Sequence, residues 1–401
     1  MIRVWAPLTV FAAVLSLQAY AATFGEDVAF LKKHVKPIVL TDSPGKMRVA
    51  VIPSMQGRVM TSASGGDRGM SYGWINRELI ASGELLPHMN AFGGEDRFWM
   101  GPEGGQYSIF FEKGNAFDLD HWFTPPALDN EPFDVTQQNA ASVTLSRHLQ
   151  LTNYTGTRYS VKVDRTVALL PVSKAWNELG IPAIKNVGLV AFESVNRITN
   201  NGNEPWRKES GLLSIWILGM FNPSPETTIV VPIKSGSEAE LGPRVNADYF
   251  GRVPADRLVV RESVLYFRGD GQYRSKIGIN PRRALPVLGS YDAANRVLTV
   301  VQFAIPGGAT DYVNSMWEIQ EQPYAGDTAN SYNDGPATPG AKPMGPFYEL
   351  ETSSPAIALA PGGSFTHTHR TMHLHGDESA LDPIARRLFG VGLSEIASAL
   401  K

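Results

Sequence analysis

Apolar and polar residues alternate along YSVKVDRTVALL, Tyr159 to Leu170. A period of two belongs to an antiparallel strand with one buried face and one face toward water. Other short runs are rich in β-branched and aromatic residues and read the same way. They are PIVL, MRVAVIP, RVMTSA, YSIFF, SVTLSRHLQLTNY, VGLVAFESVNRITN, LSIWILGMF, TTIVVPI, DRLVVRESVLYFRG and RVLTVVQFAI, with Gly, Pro, Asn and Asp between them. Helical spacing is confined to Glu26–His34, Trp74–Ser82 and Glu378–Leu400, the last with Leu381, Ile384, Leu388 and Val391 on one side. No internal repeat is evident. The pattern predicts an all-β protein: a large β-sandwich with few short helices and a C-terminal helix docked on it. The longest polar interruption, Pro323 to Pro346, reads as a structured binding loop between strands.

The first residues depart from this pattern. Arg3 precedes an apolar run from Val4 to Leu17, and Ala19 and Ala21 flank Tyr20 as an A-x-A cleavage site. The run is too short to span a membrane and has the form of a secretory signal. Residues 1–21 are therefore expected to be removed, leaving a β-domain over 22–376 and a helical segment over 377–401. The mature protein is expected in the periplasm or outside the cell, with no stable membrane insertion. The 401-residue chain has no cysteine, so its core must stabilise it without disulfides, and thiol chemistry is excluded. A net charge of −3, with no dense basic run, argues against nucleic acid as a partner.

Two stretches carry chemistry. FGGEDRFWMGPEGG, Phe92 to Gly105, is too rich in glycine for an ordinary core strand. In an extended segment Glu95, Arg97 and Trp99 share a face. A carboxylate, a guanidinium and an indole together suit a polyhydroxylated ring, whose hydroxyls they bond and whose C–H face they cover. The other reading is an internal salt-bridge network bracing a loop. His88 lies just upstream and is a further candidate. The second stretch runs from Phe347 to Gly376. Glu349 and Glu351 are two apart, and adjacent inward carboxylates raise one another's proton affinity, as a general base requires. His367, His369, His373 and His375 share strand parity, which is compatible with a metal-dependent enzyme, although no zinc motif accompanies them. No metal ligand or cofactor is assigned, and His369 is the histidine best placed to serve a sugar site.

These stretches resemble the galactose mutarotase-like superfamily, in particular a secreted bacterial branch of the DUF6786 and DUF4380 type. FGGEDRFWMGPEGG is similar to the GG-x-R-x-W-x-x-PE signature of that branch. LETS followed by LAPGGSFTHTH resembles the closing strands of aldose 1-epimerases, and VNRITNNGNEPW resembles the superfamily's N-x-G segment. The resemblance implies a β-supersandwich with a carbohydrate site on a concave sheet face. It also implies Glu351 as the general base and Arg97 as a sugar contact. It breaks where the epimerases carry a catalytic acid histidine: this chain has GLLSIWILGMF, with Ser214 and Trp216. His88, His369 and Asp334 are the candidates for the missing acid, with Trp99 and Trp216 gripping the ring. The expected function is an exported protein that binds or acts on a sugar or glycoside. The alternatives are a noncatalytic glycan-binding module and a metal-dependent enzyme.

Overall fold

A computed structural model describes residues 22–338 and 340–401; the expected signal segment lies outside them. Three antiparallel sheets make up the structure. The largest has ten strands, running from Leu258–Val260 at one edge to Asp134–Gln138 at the other, with Ser364–His375 and Gly188–Asn200 paired near its middle. A five-stranded sheet packs against it in the order Ser275–Ile279, Ala329–Asn333, Tyr348–Ser353, Ser214–Phe221, Arg97–Gly101. The third sheet is small: Ile38–Thr41, Arg48–Ile52 and Arg58–Ala63. The all-β sandwich expected from the alternation is thus present, and Arg158–Leu169 shows the expected every-other-residue burial.

Both faces of the ten-stranded sheet are covered, by different things. On its outer side Met372 and Leu374 join Leu381, Ile384, Phe389, Leu393 and Ile396 in one apolar cluster. The C-terminal segment is two helices rather than one, Glu378–Phe389 and Leu393–Ser398. Gly390 ends the first with φ +76°, a left-handed turn that favours glycine and redirects the chain. On the inner side Leu288, Val301 and Phe303 meet Phe221, Tyr348 and Leu350 of the five-stranded sheet. The histidines of Ser364–His375 alternate with the outward residues, so His367, His369 and His373 point between the sheets and are buried.

Five strands were not visible in the apolar pattern: the polar, exposed Asp134–Gln138 at the edge of the large sheet and four others, three of which belong to the five-stranded sheet. Arg97–Gly101 lies in the glycine-rich stretch, Ser275–Ile279 is short, and Ala329–Asn333 (ANSYN) sits inside the segment expected to be a loop. Val287–Asp292, like Asp134–Gln138, belongs to the large sheet. Conversely, YSIFF forms turns and bends that bury Ile109, Phe110 and Phe111 without joining a sheet.

Candidate functional site

The register of the five-stranded sheet places distant residues on one face. Arg97 lies opposite Leu218, and Trp99 opposite Trp216. Leu218 in turn faces Glu351, and Met220 faces Glu349. One strand further, Glu351 meets Asn330 and Glu349 meets Tyr332; at the edge Tyr332 meets Lys276. Because side chains alternate, all of these project away from the ten-stranded sheet, while Phe98, Ile217, Leu350 and Thr352 project toward it. Segments outside the sheet, carrying Trp122, Trp317, Phe250 and Met344, close over the face and leave a cleft of about 110 Å³.

Two hydrogen-bonded pairs of basic and acidic side chains form the floor. Arg97 Nη2 donates to Glu349 Oε1 at 2.6 Å, and its guanidinium lies 4.9 Å from the centre of the Trp99 ring. Arg97 is 2% exposed, yet its Nε and Nη1 have no partner. Lys276 Nζ and Trp216 Nε1 both donate to Glu351 Oε2 at 2.9 Å. Glu351 Oε1 is buried and unpartnered. Burial together with the neighbouring Glu351 pushes the Glu349 carboxyl up to about 8, against the pull of Arg97. Burial also opposes the charge of Lys276, but Glu351 and Glu103 outweigh it and hold the ammonium above its ordinary value. Glu103, on the cleft wall, is raised by burial as well.

Behind Trp216 and Lys276 a small enclosed chamber contains Tyr249 and Asp327. Tyr249 donates to Asp327 at 2.6 Å, and burial raises Asp327 to about 6. The floor of the cleft therefore continues into a second layer of ionisable groups.

The structure gathers Arg97, Trp99, Trp216 and Glu349 on the cleft, with Glu351 tied to it through Lys276 and Trp216. It sends the remaining candidates elsewhere. Glu95 precedes the first paired residue of its strand and follows two glycines at φ +100° and +108°. It therefore escapes the alternation expected for it, accepting from Ser62 N at 2.5 Å, Ser62 Oγ at 2.8 Å and His373 Nε2 at 2.9 Å. His369 is bonded to Thr352 Oγ1 at 2.8 Å on the far side of the sheet, and burial holds it down to about 4. His88 Nδ1 lies 2.7 Å from the Trp122 carbonyl, with the ring stacked on Phe123, in a neighbouring groove. Asp334 accepts from Tyr332 Oη and Gly345 N, both at 2.8 Å, and braces the turn after its strand.

The inner histidines also have separate partners. His367 lies 3.0 Å from Thr352 Oγ1, and His373 lies between Thr299 and Glu95. Among the described residues no group of three or more histidine, aspartate or glutamate side chains is arranged to hold a metal ion. Sequence reasoning missed Lys276, Glu103, Arg274, Tyr332, Trp122 and Trp317. Lys276 had one available signal, a lone lysine inside the short run SKIGI.

Residues 22–400 match a sequence family described as a family of unknown function (DUF6786). No curated protein matches the chain. The structure of the Slr1438 protein from Synechocystis sp. PCC 6803 aligns at a TM-score of 0.50 and 12% identity, covering 86% of this chain and 96% of that one. A putative aldose 1-epimerase from Escherichia coli K12 aligns at 0.49 and 12% identity, covering 85% and 99%. A galactose mutarotase-like protein from Lactobacillus casei ATCC 334 aligns at 0.46 and 11%, covering 85% and 100%. At such identity the likeness to the Synechocystis protein is one of fold, and the all-β sandwich expected from the strand pattern is the architecture found. No described helix is long and apolar enough to cross a membrane.

Proposed function

The chain belongs to the DUF6786 family, whose function is unknown, so its activity is read from the cleft, and we propose that it is an exported protein that binds and acts on a sugar or glycoside there. One observation carries the reading: the pairs Arg97–Glu349 and Lys276–Glu351 lie on one sheet face among Trp99, Trp122, Trp216 and Trp317. Indole faces cover the C–H surface of a pyranose, and buried charged groups bond its hydroxyls in fixed directions. An apolar site with a few convergent polar groups is the usual form of a small-molecule pocket.

The two glutamates divide the acid and base roles. Lys276 and Trp216 hold Glu351 by its Oε2, and its free Oε1 takes the proton of the anomeric hydroxyl. Glu349, raised to about 8, keeps its proton at neutral pH and delivers it to the ring oxygen. The C1–O5 bond then breaks, the ring opens to the aldehyde, and closure on the other face returns both protons. Glu349 thus takes the part that a histidine plays in the epimerases this sequence resembles. Export is supported by the apolar run and A-x-A pattern of residues 1–21 and by a family match that begins at residue 22.

A monosaccharide and glycan binding screen, repeated with Arg97→Ala, tests the site. Ligands that bind equally well to both proteins would refute it. Anomer exchange of each hit, followed by proton NMR, is expected to be lost in Glu351→Gln while binding survives. Binding with no conversion in the unaltered protein would make it a lectin. Cell fractionation with N-terminal sequencing is expected to find the protein outside the cytoplasm, beginning at Ala22.

A further inference from the structure

The cleft holds more donor capacity than its own carboxylates use. Arg97 spends only Nη2 on Glu349 and leaves Nε and Nη1 bare, although the side chain is 2% exposed. A buried guanidinium edge without acceptors costs desolvation free energy that a suitable guest returns. Arg274 is a second such cation. It lines the same cleft, its guanidinium carbon lies 3.8 Å from the centre of the Phe250 ring, and it makes no ion pair among the described residues. Phe250 pins it in place while its donors stay free. Lys276, by contrast, is occupied by Glu351.

Building on the sugar reading above, we propose that the guest is an acidic sugar, a uronic acid or a glycoside bearing one, whose carboxylate is received by Arg97 and Arg274. A carboxylate is planar and presents two oxygens, the shape a guanidinium fork recognises. A neutral hexose supplies no charge for the free donors of Arg97 and Arg274. A phosphate is tetrahedral rather than planar, and its second negative charge would meet the Glu351 carboxylate behind Lys276. The aromatic wall still covers the sugar ring, so acid and ring are recognised by different parts of one cleft.

Calorimetric titration of the purified protein with glucuronate, galacturonate and their methyl glycosides, beside glucose, galactose and glucose 6-phosphate, tests this. A uronate is expected to bind at least about tenfold more tightly than the matching neutral hexose. That margin is expected to shrink with added salt and in Arg274→Gln. Arg274 is only partly buried, so a thermal melt of Arg274→Gln that overlays the unaltered protein establishes that folding is intact. Neutral hexoses binding as tightly as uronates would overturn the acidic-sugar assignment and leave the sugar reading standing. Tighter binding of glucose 6-phosphate would overturn it in favour of a dianion. If none of these sugars or sugar acids binds, this assignment fails, and the binding screen above decides the broader reading separately.

Discussion

Arg97 and Glu349 are 252 residues apart in sequence and are joined by a hydrogen bond of 2.6 Å. They sit on strands separated by a third, Ser214–Phe221, so the pair reaches diagonally across it. This contact fastens an edge strand to the middle of its sheet and is at the same time the floor of the cleft.

Removing one partner of this pair should cost more than removing both. Arg97→Met leaves the buried Glu349 carboxyl without its hydrogen-bond donor, a loss of about 1–3 kcal/mol in a closed site. The double variant Arg97→Met/Glu349→Leu is expected to recover most of that in urea unfolding. Equal losses from the single and the double changes would show that the pair is not coupled.

Stability should fall toward alkaline pH through Glu349. Its ordinary value is 4.5, and in the fold it is raised to about 8. Across that interval the unfolded chain gives up a proton that the folded chain keeps, so the contribution is complete below 4.5 and is lost as pH rises through 8. Urea midpoints measured across this range should therefore decline more steeply than those of Glu349→Gln. Parallel curves would refute the shift.

The opposite sign applies to the inner histidines. Burial lowers His367 to about 3 and His369 to about 4, from 6.5. Their stabilisation is full above 6.5 and drains away as pH falls toward those values, because the unfolded chain takes up protons first. Imidazole resonances followed by NMR at pH 5 should still report neutral rings for both. Protonated rings at that pH would contradict their placement between the sheets.

Gly93 should tolerate no side chain. Its φ is +100°, and an added Cβ would come within 2.0 Å of the Trp74 carbonyl oxygen. Gly93→Ala combines a strained backbone with overpacking and is expected to lower stability by about 2–4 kcal/mol in urea unfolding. A loss no larger than that of Gly114→Ala would be contrary evidence; Gly114 also has positive φ but has open space around it.

The outer sheet was legible because its strands are long and alternate, as Arg158–Leu169 does. The inner sheet was not, because its site face carries Arg97, Lys276, Asn330, Glu349 and Glu351 where an apolar pattern needs hydrophobic residues. Both faces of those strands are buried, one by the large sheet and one by the segments that roof the cleft, so no polar side was exposed to mark the period. Residues of distinctive chemistry, Arg97, Trp99 and Glu351, could be singled out without knowing their strands. Arg274 could not, since nothing in sequence distinguishes it from a surface cation, and Lys276 offered only its place inside SKIGI. The histidines misled for a related reason: parity puts His367, His369 and His373 on one side, but which side depends on the helices that cover the other.

Asp96 and Arg97 are neighbours with opposite destinations. Arg97 faces the cleft, whereas Asp96 Oδ1 accepts from the buried Arg165 at 2.5 Å on the reverse side. A slip of the strand by one place would exchange them, setting an acid in the cleft and bringing the Arg97 cation against the buried Arg165. Charge therefore locks the alignment from behind, independently of any guest in front. Variation at the forward positions is free to retune which molecule is accepted, because the anchor that keeps this strand in place lies on the other side.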